Sequence, residues 1–316
     1  MIKLGIVMDP ISSVNIKKDS SVAMLVEAQR RGWELHYMEM NHLYLHAGDA
    51  RACTRLLRIK ESKESWYSFY SEQDLALQDL DVILMRKDPP FDTEYIYATY
   101  ILERAEVKGT LVFNKPQSLR DCNEKLFTAW FPELMPDTLV SRNASHIRQF
   151  HQRHGEIVLK PLGSMGGASI FRVKPDDPNL PVIIEILTEY GQRFCMAQKF
   201  LPAIKEGDKR ILLVDGEPVS NCLARIPAQG ETRGNLSAGG YGEVRQLTES
   251  DWRIARVVAL TLKEKGLLFV GLDVIGDRLT EINVTSPTCV REIEAVFPGS
   301  IMSILMDAIA KRLAAK

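Results

Sequence analysis

Gly271-Leu272-Asp273-Val274-Ile275-Gly276-Asp277-Arg278-Leu279-Thr280-Glu281-Ile282-Asn283-Val284 reads as a β-hairpin, and the side chains it gathers decide the fold. Strand side chains alternate with period two, so Glu281 and Asn283 share a face. Register decides whether Asp273 joins them. A two-residue loop at 276–277 sets Asp273 opposite Thr280 and sends Glu281 to the other face; a three-residue loop at 276–278 sets Asp273 opposite Glu281 and Gly271 opposite Asn283. A glycine-containing three-residue turn is a common hairpin solution, so the spacing predicts the odd loop and a cluster of three oxygen donors. Two carboxylates and an amide oxygen suit a hard cation such as Mg2+, which keeps waters and phosphate oxygens as its other ligands. A solvated sheet face would carry the same residues. The apolar neighbours Leu272, Val274, Ile282 and Val284 argue for a half-buried sheet, where unpaired carboxylates are costly.

Upstream lie groups that handle phosphate. The turn Lys160-Pro161-Leu162-Gly163-Ser164-Met165-Gly166-Gly167-Ala168-Ser169 sits between two predicted strands. Its glycines let backbone N–H groups approach phosphate oxygens, and Lys160 adds a point charge. It has neither the order of a P-loop nor a G-x-G-x-x-G fingerprint, and a plain hairpin turn reads the same residues. Lys125, Arg210, Arg225, Arg233 and Arg291 supply cations. Arg210 and Arg225 are embedded in strand-like apolar runs, where a solvated surface charge is the less natural reading. The segment 226–242 is long, glycine-rich and poor in core-forming residues, with Arg233 near its middle. It is either a closing lid or a surface loop. Cys289 has no histidine or other base in the nearby sequence, so it is read as a pocket-lining thiol and not a nucleophile. His151 and His154 share a predicted helix without a third ligand and are read as surface residues.

The rest of the chain frames these motifs. Ile2 to Met8 and Asp81 to Met85 are short apolar runs of the kind that form buried parallel strands. Asp19-Ser20-Ser21 caps a helix ending at Gly32, and a helix over 93–107 precedes a strand over 110–113. Strand, helix, strand in this order is βαβ logic, so residues 1–122 form an N-terminal open α/β domain. Residues 43–75 read as a strand pair followed by an irregular segment with Trp66 and Tyr67. A small α+β unit is predicted over 123–200, starting with a short helix at 123–130 and including a strand over 169–173. A second α+β unit over 201–316 carries the hairpin, a helix over 249–265 and a last helix over 299–313.

At 316 residues the chain is long enough for two or three packed domains. A formal net charge of −1 argues against electrostatic binding to nucleic acid or to a membrane surface. The five cysteines (Cys53, Cys122, Cys195, Cys222, Cys289) are scattered without a C-x-x-C pair, which favours reduced thiols over a disulfide framework or zinc site. The N-terminus carries no secretory pattern and no run approaches the roughly 20 apolar residues of a membrane span, so a cytoplasmic location is expected.

Taken together, the motifs stand in the order of an ATP-grasp enzyme, and over nearly the whole chain the sequence resembles the bacterial glutathione synthetase family. The resemblance is carried by Met85-Arg86-Lys87-Asp88-Pro89-Pro90-Phe91-Asp92, Asn114-Lys115-Pro116, Asn123-Glu124-Lys125, Leu159-Lys160-Pro161-Leu162 with Met165-Gly166-Gly167, Gly207-Asp208-Lys209-Arg210, Glu231-Thr232-Arg233-Gly234-Asn235, and Glu281-Ile282-Asn283-Val284-Thr285-Ser286-Pro287-Thr288. It implies an ATP-grasp fold, in which two α+β subdomains clamp a nucleotide behind the α/β domain. It implies ligation of γ-glutamylcysteine and glycine through an acyl phosphate, with ADP and phosphate released. Mg2+ is the implied cofactor, with Mn2+ as a substitute, and the chain would form a homo-oligomer, commonly a tetramer. By the same resemblance Lys125, Lys160, Gly166, Gly167, Gln198, Lys199, Leu201 and Asp208 hold ATP, and Asp273, Glu281 and Asn283 hold the metal. Arg210, Arg225 and Arg233 serve catalysis, and Arg86, Asn283, Ser286, Thr288, Cys289 and Arg291 bind substrate. The sequence departs from the family at Gly163-Ser164, where Asp-Gly is usual, at Tyr241, where relatives carry arginine, and at Lys199, where they carry an aromatic residue. The rival readings are another ATP-grasp ligase joining a different acid and amine, and a nucleotide-binding module that performs no ligation.

Overall fold

The computed structural model describes residues 1–60, 65–164, 166–296 and 299–316; Met165 of the glycine turn and part of the 43–75 segment fall outside them. The first run, Lys3–Val7 (β1), has four of its five residues buried. Asp19 caps α1 (Ser20–Arg30) by accepting from the Val22 amide at 2.8 Å. The chain returns through β2 (Glu34–Met38), then β3 (Leu43–His46), β4 (Asp49–Ile59) and β5 (Tyr67–Ala76), and continues with β6 (Val82–Met85), α2 (Thr93–Val107), β7 (Leu111–Phe113) and α3 (Pro116–Asp121). The sheet order is β3-β4-β2-β1-β6-β7, with β5 on β4. The pairs β1–β2, β1–β6 and β6–β7 are parallel, as βαβ logic requires. The expectation of an irregular segment around Trp66 and Tyr67 is corrected: Tyr67 begins β5, which pairs with β4 along nearly its full length. Alternation there is hidden because β5 is an outer strand with half of its side chains exposed in one unbroken run.

The middle of the chain builds a separate small sheet, β10-β9-β11-β8, from β8 (Thr138–Ser141), β9 (Ile157–Pro161), β10 (Phe171–Val173) and β11 (Cys195–Lys199). Its helices are α4 (Ala144–His154) and α5 (Leu180–Thr188). The short helix expected at 123–130 is one 3-10 stretch over Leu126–Trp130, and the strand expected from Ser169 begins at Phe171. His151 is not a surface residue: it is buried and its Nε2 lies 2.9 Å from the Lys174 carbonyl.

The third sheet, β14-β13-β12-β15-β16, comprises β12 (Asp208–Val214), β13 (Glu217–Ile226), β14 (Tyr241–Gln246), β15 (Phe269–Ile275) and β16 (Arg278–Asn283). The helices are α6 (Glu249–Glu264), α7 (Val290–Glu294) and α8 (Ile301–Ala314). The 226–242 loop is shorter than expected, because Ile226 ends β13 and Tyr241 pairs with it at the start of β14. No helix of the described residues is long and apolar enough to cross a membrane.

The apolar cores divide unequally among the three sheets. Ile211, Leu272 and Ile282 pack in one cluster with Val7, Met85, Tyr95 and the α6 residues Ile254, Val258 and Leu262. Leu212, Leu223 and Phe269 pack in a second with Leu4, Ile6 and the α8 residues Leu305 and Ile309. The first and third sheets therefore share their apolar interiors. The small sheet has an interior of its own, in which Ile147, Leu159, Ile183 and Cys195 meet. Asn114 adds a polar staple between the shared sheets: its side chain accepts from the Leu268 and Phe269 amides and donates to the Phe269 and Val284 carbonyls at 2.6–3.0 Å.

Candidate active site

The face of the third sheet turned away from α6 carries a row of charge. Asp208 and Arg210 are two apart on β12 and so point the same way. Arg225 on β13 pairs with Asp208, Asp273 on β15 pairs with Arg210, and Glu281 on β16 pairs with Asp273. Asp273, Glu281 and Asn283 thus share one face of the hairpin, but not by the route expected. Ile275 pairs with Arg278, so the turn has two residues, and the ladder shifts between Asp273 and Val274. Thr280 is the extra residue, a β-bulge, and its hydroxyl donates to the Asp273 carbonyl at 3.1 Å. The bulge restores the offset that a three-residue turn was expected to supply, and Gly271 stands opposite Asn283.

Asp273 anchors the row. One carboxylate oxygen accepts from Arg210 Nε at 2.6 Å, and the other accepts from Arg210 Nη2 at 3.1 Å and lies 2.8 Å from Arg225 Nη2. Gly271 makes this possible, since a Cβ there would sit 2.8 Å from Arg210 Cδ. Burial pushes the Asp273 carboxyl up, but the two guanidiniums outweigh it and hold it well below the usual carboxylate range. Asp208 shares the same Arg225 yet moves the opposite way: burial lifts it to about 7. The difference is physical. Asp273 is bonded by two guanidiniums, whereas Asp208 is bonded by Arg225 alone, sits near two other carboxylates, and keeps one buried oxygen without a partner among the described residues.

Glu281 faces the small sheet. Its Oε1 lies 3.4 Å from Lys160 Nζ and 3.8 Å from Lys125 Nζ. Burial raises the Glu281 carboxyl, and the two lysines pull it below its ordinary value. Burial drives the Lys160 ammonium down, with Glu281 opposing. Lys125 also donates to the Ser164 carbonyl at 2.6 Å. Two buried cations thus project toward space that anionic oxygen can fill.

That space is an open cleft between the small and third sheets. Lys125, Lys160, Gly166, Gly167, Gln198, Lys199, Leu201 and Asp208 all line it, with Asp273, Glu281 and Arg233. One end is apolar, with Val158, Ile170, Phe200, Leu201, Ile204 and Ile275, and suits a nucleobase. The other holds the lysines and the glycine turn, and suits phosphates. Residues 232–235 close over the turn: Arg233 Nη1 donates to the Gly167 carbonyl at 3.2 Å. Gly167 has φ +80°, and a Cβ on it would lie 2.6 Å from Asn235 Oδ1, so only glycine accepts this approach. Glu231 orients Arg233 through Nη2 at 2.6 Å.

A second cleft adjoins the first across Gly166 and Asn235. Arg210, Arg225, Asn283, Ser286, Thr288 and Cys289 line it. Burial raises the Cys289 thiol above its ordinary value, which disfavours the thiolate a nucleophile would need. Arg86 and Arg291 lie outside both walls. Arg86 is buried beneath the 286–289 loop, donating to the Pro287 carbonyl at 3.0 Å and the Ser21 hydroxyl at 3.1 Å. Arg291 lies in α7 with its Nε buried and unpaired. Glu124 went unassigned from sequence, although it stands within the quoted Asn123-Glu124-Lys125 motif and lines the second cleft. Among the described residues no three His, Cys, Asp or Glu side chains gather, so a metal here needs the Asn283 oxygen beside the two carboxylates. That donor set, all oxygen on adjoining strands, has the chemistry Mg2+ prefers.

Comparison with known proteins agrees with this geometry. Residues 2–120 match the model of the prokaryotic glutathione synthetase N-terminal domain, and residues 124–298 match that of the prokaryotic glutathione synthetase ATP-grasp domain. A glutathione synthetase of Yersinia pestis is 78% identical over 317 residues, covering 100% of this chain and 99% of its own. One of Escherichia coli (strain K12) is 74% identical over 313 residues, covering 99% of both. Among solved structures, D-cycloserine synthetase DcsG superposes with a TM-score of 0.69 at 15% identity, over 98% of this chain and 99% of the other. D-alanyl-alanine synthetase A from Vibrio cholerae superposes with a TM-score of 0.59 at 11% identity, over 99% and 98%. These two likenesses speak for the ATP-grasp fold alone.

Proposed function

The chain belongs to the prokaryotic glutathione synthetase family and is an ATP-dependent ligase of glutathione synthesis, and on that premise we propose how its residues divide the work. The observation that carries the reading is the charge row Arg225, Arg210, Asp273 and Glu281 running from the second cleft into the first. It links a site fit for an anionic acid to one fit for a nucleotide.

A carboxylate does not react with an amine until its oxygen becomes a leaving group. In our reading γ-glutamylcysteine lies in the second cleft, its carboxylate toward Arg210 and Arg225, and ATP lies in the first. The carboxylate attacks the γ-phosphate to give an acyl phosphate and ADP, and the glycine amine then displaces phosphate. Negative charge builds first on the transferring phosphoryl group and then on the tetrahedral oxygen. Lys125, Lys160, Arg210 and Arg225 are already arranged to meet it, which is where such sites gain most of their rate. Mg2+ held by Asp273, Glu281 and Asn283 would neutralise phosphate charge. Arg233 and its loop shield the acyl phosphate from water. No side-chain nucleophile is needed, which fits the protonated Cys289.

We also take the chain as three units, 1–122, 123–200 and 201–316, with the middle one closing on the third. A cytoplasmic homo-oligomer, commonly a tetramer, is what the resemblance supports, and light scattering reads its size. The test of function is ADP release that requires both γ-glutamylcysteine and glycine. Equal release with either omitted points to a different ligase or an idle ATPase, and none at all to a non-catalytic nucleotide-binding module.

A further inference from the structure

The second cleft is strongly cationic on one side, yet its wall contains one carboxylate, Glu124. Glu124 is rigidly held. Its Oε1 accepts from the Val284 amide at 2.9 Å, the Thr285 amide at 3.0 Å and the Thr285 hydroxyl at 2.8 Å. Its own carbonyl accepts from the Ile282 amide at 2.8 Å. All of these contacts fall on the strand end and loop that carry Asn283 and Ser286. Among the described residues no donor reaches Oε2. The nearby cations are engaged elsewhere: Arg86 with Ser21 and Pro287, and Lys125 with Ser164 and Glu281. A half-buried carboxylate fixed through one oxygen, with the other free to accept, suits a cationic partner in a substrate cleft, because a charge-assisted hydrogen bond is stronger than a neutral one. Resting on the ligase reading above, we propose that Glu124 is the subsite for a substrate ammonium, with Oε2 receiving the primary amine of one of the two amine-bearing substrates.

Both substrates offer that chemistry: the α-amine of the γ-glutamyl residue, and the amine of glycine before it attacks. Burial raises the Glu124 carboxyl against the Thr285 amide and hydroxyl, which lower it; Glu281 adds to the rise and Lys125 opposes it. Arg86 and Tyr95 also sense its charge. An incoming ammonium would relieve that burial cost while Arg210 and Arg225, which line the same cleft, hold the carboxylate end of the same substrate. Separate groups then receive amine and acid, which also fixes orientation.

The test is Glu124→Gln. The glutamine oxygen can still accept from Val284 and Thr285, so the loop keeps its staple while the charge facing the cleft is lost. The expected result is a KM raised roughly ten- to hundredfold for one amine substrate, the range for losing a charge-assisted hydrogen bond, with the KM for ATP unchanged. Glutarylcysteine, which lacks the α-amine, separates the sources. If the γ-glutamyl amine is bound, the wild-type preference for γ-glutamylcysteine over this analogue collapses in the variant. If glycine is bound, the preference stays and the glycine KM rises. Unchanged KM values for both substrates in a folded, ATP-binding variant overturn the proposal, as does an equal rise in all three, which marks a loop staple only. Should the glutamine variant not fold, Glu124→Asp withdraws the oxygens by one methylene and is read in the same way. A wild-type chain that fails to ligate overturns the functional reading itself; a wild-type chain that ligates no better than Glu124→Gln overturns only this one.

Discussion

Glu281 stands directly opposite Asp273 because Thr280 between Leu279 and Glu281 has no partner on β15. Without that bulge, a two-residue turn would place Glu281 opposite Leu272 and aim it at the apolar face packed on α6. A one-residue slip always exchanges the two faces of a strand. Deleting Thr280 removes the bulge but leaves Asp273 facing Glu281 in a regular ladder. The shortened chain is therefore expected to keep its ADP-releasing activity within about tenfold. A loss of roughly a hundredfold or more, the scale of losing a transition-state contact, would show that something other than this offset aligns the pair.

Asp273 is the counter-charge for two buried guanidiniums, so Asp273→Asn leaves Arg210 and Arg225 without their shared anion. Breaking a buried pair in this way costs about 3–5 kcal/mol. Asp208→Asn is expected to cost much less, because burial already drives Asp208 toward its neutral form. Urea denaturation of the two variants reads the difference, and equal losses would contradict the asymmetry.

Arg210 lines the second cleft, and Arg86 lies beneath the loop that forms its floor. Arg210→Met is expected to raise the chemical barrier by about 2.7–4 kcal/mol, a fall in kcat of roughly a hundred- to a thousandfold, with little change in the KM for ATP. Arg86→Met should instead lower the melting temperature and weaken dipeptide binding as the Ser286–Cys289 loop loses its support. Steady-state kinetics with thermal melts separate the two, and a kcat for Arg86→Met as low as that for Arg210→Met would place Arg86 in the chemistry.

Glu27 joins α1 to α8, bonding Arg30, Arg31 and the Ser303 hydroxyl. The Arg30 hydrogen bond, against burial and with help from Arg31 and Ser303, lowers its carboxyl to about 2. The folded value lies below the unfolded one of about 4.3, so the stabilisation is complete above about pH 4.3 and is lost as pH falls through about 2. The stability gap between wild type and Glu27→Gln should be constant from pH 7 to 5 and shrink below that. A gap that widens on acidification would reverse the sign.

The parts legible in the sequence were those where local chemistry and tertiary need agree. Asp19 caps α1, the 93–107 pattern is α2, and short buried runs are the parallel strands. β5 was hidden because this outer strand exposes five consecutive side chains and shows no clean alternation. β14 was hidden because Tyr241-Gly242-Glu243 are all exposed and gain strand structure only from pairing with β13. The hairpin register came out right through the wrong device: a bulge leaves no signature in spacing, and Thr280 differs from any strand residue only in what it lacks across the ladder. Glu124 carries no signal in the sequence because its hydrogen bonds reach the 284–285 amides, some 160 residues away in the chain.

The account stands or falls on whether the acid is phosphorylated before the amine arrives. γ-Glutamylcysteine labelled with oxygen-18 in its reacting carboxylate, turned over with ATP and glycine, settles this by mass spectrometry of the released phosphate. The account predicts one labelled oxygen in each phosphate formed. Unlabelled phosphate alongside full ligation would contradict it.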